Sequence, residues 1–280
     1  MRNILQYFNE RFPVIPVLLF ATGYAGLLIG NVYGIGIWKQ SFLGAFSLFI
    51  TVSGIFLCFL FRQRVVDEFR DYAHDSKYFP NRPVQRGLVT KSQVFIMGLV
   101  ALLMELVLVS RIAPLLLYLP VLFYNFLMAK DFFIKNWLDG HFTTHFFIHE
   151  TFFIIYGWFF ITSLSSHLSF ARLLPVLGIL VFGPMTVELI RKYTPRRSSR
   201  GGIVKDSYCA VWGAKNTLCF LMLLTFLLGF QSSLVKSNQL FIIVAAVIIL
   251  TLLLLRKSDK LVIFLGAGQY LLFSLLANLF

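Results

Sequence analysis

Residues 62–92 read RQRVVDEFRDYAHDSKYFPNRPVQRGLVTKS, and the rest of the chain is organised around them. The chain has 12 carboxylates in 280 residues, yet Asp67, Glu68, Asp71 and Asp75 fall within nine consecutive positions. Asp67, Asp71 and Asp75 stand at i, i+4 and i+8. Each step of four turns a helical side chain only about 40° further, so an unbroken helix lines all three on one face over roughly 12 Å. Like charges at that spacing repel one another. A cation answers the repulsion, and hard divalent ions take carboxylate oxygens, magnesium completing its shell with water and substrate phosphates.

The second half of the stretch is basic, with Lys77, Arg82, Arg86 and Lys91. Pro80 and Pro83 end the helix and stiffen the turn. Arginine forks match phosphate oxygens. An acidic helix followed by a basic loop therefore suits a magnesium–diphosphate site. The same charges also suit a solvated loop between two membrane spans, where they neutralise one another.

D-x3-D-x3-D at the end of an apolar run, then RPVQRGLV, resembles the first aspartate-rich motif of the UbiA-type intramembrane prenyltransferases, which usually reads N-x3-D-x3-D followed by R-P-x-x-x-G. Asp67 takes the Asn position, Asp71 and Asp75 the two Asp positions, and Arg82, Pro83 and Gly87 match the tail. The resemblance implies an all-α bundle around a central cavity. It also implies a Mg2+ cofactor, with Asp67, Asp71 and Asp75 as metal ligands and Asp71, Asp75 and Tyr72 as catalytic residues.

Composition supports a membrane protein. The chain is 58% hydrophobic and 13% charged, with a mean hydropathy of +0.80. Apolar runs of about 17 to 22 residues suffice to cross a hydrocarbon core of about 30 Å. Nine spans are expected, at roughly 13–34, 42–61, 93–110, 113–129, 146–165, 170–190, 213–230, 238–255 and 261–279. They form a single integral-membrane domain over 1–280, preceded by a short amphipathic segment. With Lys215 counted in the loop before its span, 21 of the 25 Lys and Arg lie on the side of the N-terminus. The positive-inside rule then makes that side cytoplasmic and puts the C-terminus outside. This distribution assigns the +13 net charge to membrane topology and anionic lipid rather than to nucleic acid. The first run is too long for a cleavable leader and lacks a small-residue cleavage site, which suits a prokaryotic inner membrane. Cys58, Cys209 and Cys219 show no metal spacing and imply no disulfide framework.

A second charged cluster, VELIRKYTPRRSSRGGIVKDSYCAVWG, spans 187–213. The resemblance places a second acidic motif here, but this chain has Glu188 and then Lys192 where a second acid is usual. Asp206 follows the basic stretch. Either Glu188 and Asp206 share one magnesium, or Lys192 stands in as a fixed charge on the diphosphate. Arg82, Arg86, Lys192 and Tyr208 become the expected substrate-binding residues. The stretch also reads as an ordinary positive-inside loop. His141, His145 and His149 repeat the i, i+4, i+8 spacing; imidazoles so placed suit zinc or iron, or simply the polar mouth of a cavity. Tyr124 and Lys130 are two residues too far apart for the family's Y-x3-K. Glu105 and Glu150 fall within spans, where a carboxylate needs a partner or a cavity.

The expected reaction is transfer of an isoprenyl group from a polyprenyl diphosphate, drawn from the bilayer, to a lipophilic or aromatic acceptor. Other reactions fit the same features: phosphoribosyl transfer to a polyprenyl phosphate, or terpene cyclisation. A non-catalytic transporter or scaffold, or an inactive relative, is a further alternative. The D-G-x2-A-R motif of the CDP-alcohol phosphotransferases is absent, and the paired halves of a transporter are not evident.

Overall fold

Each expected apolar run folds as helix in the computed structural model, which describes residues 2–164 and 169–280. The helices are α1 (Arg2–Arg11), α2 (Val14–Tyr33), α3 (Gly36–Gln40), α4 (Phe42–Arg70), α5 (Tyr72–Tyr78), α6 (Lys91–Val109), α7 (Leu119–Ala129), α8 (Lys135–Gly140), α9 (Phe142–Glu150), α10 (Phe152–Leu164), α11 (Phe170–Arg191), α12 (Tyr208–Val211), α13 (Ala214–Lys236), α14 (Leu240–Leu254) and α15 (Asp259–Leu279). Among the described residues, seven helical segments are long and apolar enough to cross a membrane. The runs expected fourth and eighth form shorter apolar helices, Leu115–Ala129 and Leu240–Leu254. Ser165, the expected end of the fifth run, lies outside the described residues.

Local chemistry explains several boundaries. Ser41 caps α4 by accepting from the Gly44 amide. Thr90 and Gln93 form a reciprocal capping box at the start of α6. Pro80 and Pro83 lie just beyond α5, as expected. At 29 residues α4 is about 43 Å long, so it exceeds the hydrocarbon thickness and carries its last charged turns out of it.

The bundle is built by neighbours along the chain and two closures. Helix α4 packs between α2 and α6, and α15 returns to α2. Helix α11 packs on α2, α10, α13 and α15, and α13 pairs with α14. The α2–α15 contact needs glycine: a Cβ on Gly30 would sit 2.7 Å from the Ala277 carbonyl carbon. Stacked rings fill the middle of the bundle, with Tyr24 on Phe56 and Phe59 on Phe152, both at 4.3 Å. Large apolar side chains point outward instead, Leu43 being 79% and Leu254 82% exposed. That inside-out pattern matches a hydrocarbon solvent rather than water.

The amphipathic segment does more than rest at an interface. Helix α1 docks on the polar end of α4, where Phe8 stacks on Phe61 at 5.1 Å and Tyr7 is fully buried. Beyond α11 the chain makes a small antiparallel hairpin, Arg196 pairing with Val204. The hairpin leans on α5 through the Ser199 amide, which donates to the Tyr78 carbonyl at 3.0 Å.

Candidate active site

The charged residues at the end of α4 do not form the single line that unbroken helical spacing predicts. The helix breaks at Asp71, whose backbone (φ −94°, ψ 8°) joins α4 to α5. Arg70 sits between the first two carboxylates. Its Nη2 donates to Asp67 Oδ1 at 2.7 Å and its Nε to Asp71 Oδ1 at 3.2 Å. This guanidinium relieves the like-charge repulsion from which the sequence argument started.

Asp75 is turned to the other side. It is buried against Arg82, and Arg11 reaches it at 3.4 Å. Arg11 also holds Glu68 at 2.6 Å, and Arg64 holds Glu68 at 3.2 Å. Asp75 therefore belongs to a buried ion-pair cluster that fastens α1 and the proline turn to α4. Arg82 joins the same cluster and lies 4.1 Å over the Phe79 ring. Arg86 forks onto Glu10, at 2.7 and 3.0 Å, and the bond holds the Glu10 carboxyl below its usual range. Tyr72 packs in the same outer apolar cluster and carries Lys91 Nζ 3.3 Å over its ring. Of the residues expected around the first motif, Asp67 and Asp71 thus remain together, while Asp75, Tyr72, Arg82 and Arg86 gather elsewhere.

The second cluster lies at the end of α11. Glu188 is saturated: Arg191 donates to its two oxygens at 2.7 and 2.9 Å, and Lys192 lies 3.1 Å away. The Tyr208 hydroxyl donates to the same carboxylate at 3.3 Å. Burial and the neighbouring Glu188 charge push the Tyr208 phenol well above its ordinary range, so it remains a donor. Asp206 points instead to Arg196 of the hairpin, at 3.5 Å. Glu188 and Asp206 are therefore each committed to basic partners rather than to one another.

Three residues reach this region without having been assigned a role in it from the sequence. Arg70 joins the two acidic positions. Asp131, in the connection after α7, is buried with its Oδ1 3.8 Å from Arg70 Nη1 and from the Nε2 atoms of both His145 and His149. Burial raises the Asp131 carboxyl above its usual range, against the pull of Arg70 and Lys135. Arg191 is the third. A lone Asp directly after an apolar run, in AKDFF, was the one available signal for Asp131. Glu150 lies on the same side, buried, with Oε2 lacking a hydrogen-bond partner. A ring cluster borders it: Phe146 lies 5.3 Å and Trp212 4.9 Å from Tyr208. Glu105 is occupied elsewhere, by Arg62 and the Tyr118 hydroxyl. Tyr124 donates to the Ile148 carbonyl at 2.8 Å.

The arrangement is two clusters at one end of a helical bundle, Asp67–Arg70–Asp71 and Glu188–Arg191–Lys192. A solved structure shares the fold at the level of the whole chain. Superposed on a digeranylgeranylglyceryl phosphate synthase studied in membranes, the chain aligns over 98% of its length and 99% of that protein's, with a TM-score of 0.51 and 15% identity. The chain has the fold of that synthase. The likeness of fold extends along the whole chain. No protein-family profile and no curated protein matches the sequence.

The carboxylates of the first cluster that could hold a magnesium ion are Asp67 and Asp71. Asp67 and Asp71 each keep one oxygen, Oδ2, without a hydrogen bond among the described residues. Magnesium asks for one or two carboxylates and takes the rest of its shell from water and phosphate. Asp75 and Glu188 are held by Arg and Lys at close range, whereas Asp206 pairs with Arg196 through Oδ2 and keeps a buried Oδ1 without a hydrogen-bond partner.

Proposed function

We propose that the chain is an intramembrane transferase that moves an isoprenyl group from a polyprenyl diphosphate to a lipophilic acceptor. The observation that carries this reading is the pair of clusters at the polar end of the synthase fold, which together hold three basic side chains, Arg70, Arg191 and Lys192, and three acidic ones, Asp67, Asp71 and Glu188. A diphosphate needs more than one cationic partner, and the two clusters supply them.

Asp67 and Asp71 would hold one magnesium ion, which would supply charge to offset that of the leaving diphosphate. Arg70 orients both carboxylates and keeps a charge beside them. Lys192 and Arg191 hold the diphosphate from the second cluster, the role that a second metal would otherwise fill. Tyr208 stays protonated and donates to the developing anion as its bond to Glu188 is long. In the step itself, the bond between the allylic carbon and the diphosphate oxygen breaks with both electrons going to oxygen. The faces of Phe146, Tyr208 and Trp212 stabilise the allylic cation. The acceptor bonds to that carbon and releases its proton to water. The isoprenyl chain lies along the lipid-facing grooves between helices, in a prokaryotic inner membrane with the motif on the cytoplasmic side.

The test is the thermal transition of detergent-purified protein with geranylgeranyl diphosphate, with and without magnesium, followed by turnover with radiolabelled donor. A magnesium-dependent rise, lost in Asp71→Asn, is expected, since a ligand that binds only the folded state stabilises it. A rise that survives in Asp71→Asn, or a response only to phosphoribosyl diphosphate, would overturn this assignment.

A further inference from the structure

Among the described residues, one set of three metal-ligand side chains has donor atoms that all lie within 4.8 Å of one another: Asp131, His145 and His149. None belongs to the motifs from which magnesium was inferred. We propose that these three side chains bind one late first-row divalent cation, of the zinc class, beside the Asp67–Arg70–Asp71 cluster.

The geometry supports one shared ion. His145 and His149 stand one turn apart on α9, with their Nε2 atoms 2.8 Å apart, and each lies 3.8 Å from Asp131 Oδ1. A tetrahedral ion with bonds of about 2.0–2.1 Å separates its ligand atoms by roughly 3.4 Å. The observed separations bracket that value, so ligand shifts of roughly half an ångström seat the ion.

The second observation is an orphaned atom. Asp131 is 3% exposed, yet its Oδ1 has no hydrogen-bond partner. Arg70 is the nearest candidate donor, but its fork is committed to Asp67 and Asp71, and Nη1 stays at 3.8 Å. Burying a carboxylate oxygen without a donor is costly, and a coordinated cation removes the cost. The backbone also forces this placement. Asp131, Phe132 and Phe133 all take positive φ (45°, 54° and 60°), a conformation that L-residues adopt rarely and that here turns Asp131 inward.

Donor chemistry selects the metal. Two imidazoles and a carboxylate suit zinc, cobalt or iron(II), whereas magnesium prefers an all-oxygen shell. Three protein ligands leave a position for water or an anionic oxygen, the pattern of an open rather than a closed zinc site. His141, the third histidine at helical spacing, is excluded. Its ring stacks on Trp137 at 4.3 Å and its Nδ1 contacts the Trp137 carbonyl at 2.7 Å.

The experiment uses full-length detergent-purified protein stripped with chelator and titrated with zinc, with stoichiometry read by mass spectrometry of the metal. One equivalent is expected. His149→Asn and Asp131→Asn should each weaken binding by at least about tenfold, while His141→Asn and Asp67→Asn bind as wild type. Wild-type zinc affinity in both His149→Asn and Asp131→Asn, or failure of the wild type to retain zinc, overturns the proposal. Should the variants not fold, X-ray absorption on zinc-loaded wild type decides. A shell with two imidazoles and oxygen supports the site, and an all-oxygen or sulfur-containing shell overturns it. Because Asp67→Asn disables the magnesium site and not this one, the fate of each is read separately.

Discussion

Arg62 and Glu105 form a two-pronged ion pair between α4 and α6, with Nε to Oε2 at 2.6 Å and Nη2 to Oε1 at 2.9 Å. Glu105 is wholly buried, and the Tyr118 hydroxyl completes its shell. Truncating it to Ala leaves Arg62 charged and unpaired. Glu105→Ala is expected to destabilise the protein by about 3–5 kcal/mol, whereas the double change Arg62→Met, Glu105→Leu recovers most of that loss. Thermal unfolding of both variants in one detergent checks it. An unchanged midpoint in Glu105→Ala would show that the pair carries no structural weight.

Asp71 and Asp75 are expected to behave differently despite sharing a motif. Asp71→Asn should abolish magnesium-dependent stabilisation by the diphosphate and leave the apo protein nearly as stable. Asp75→Asn should instead lower apo stability by about 3 kcal/mol, because it leaves Arg11 and Arg82 with one carboxylate fewer. The magnesium response should persist. Melting curves with and without magnesium and donor separate the two behaviours, and identical profiles would contradict the different placements of these side chains.

Tyr208→Phe removes a hydroxyl and little volume. It should lower turnover by roughly tenfold or more, since a hydrogen bond to a charged group contributes about 1.5–3 kcal/mol. The melting midpoint should move little. Equal kcat for the two proteins would remove Tyr208 from the proposed donor set.

Close helix packing yields a prediction with no catalytic content. A Cβ on Gly229 would lie 2.5 Å from the Ala245 Cβ and 2.8 Å from the Phe241 carbonyl oxygen. Gly229→Ala should therefore force α13 and α14 apart at a cost of about 1–3 kcal/mol. Gly268→Ala, with nothing within 4 Å, serves as the control and should be neutral or slightly stabilising.

By itself the sequence determined the order of the apolar runs, the acidic and basic clusters between them, and the all-helical fold class, while two of its nine expected spans fold as helices shorter than a span. Hydrophobic run length and charge placement are local properties, and a hydrocarbon solvent leaves few alternatives to helix. Asp67 and Asp71 were legible as neighbours because one helical turn separates them. The tertiary structure alone decided which charges meet. Spacing along a helix says nothing about a break at Asp71, nor about an arginine such as Arg70 or Arg11 arriving to neutralise a carboxylate. Asp75 left the expected face for that reason. Asp131 came to His145 and His149 from a different segment, through three consecutive left-handed residues that no local pattern announces. Charge pairing acts through space over a few ångströms, so partners distant in sequence are set by packing, not by motif.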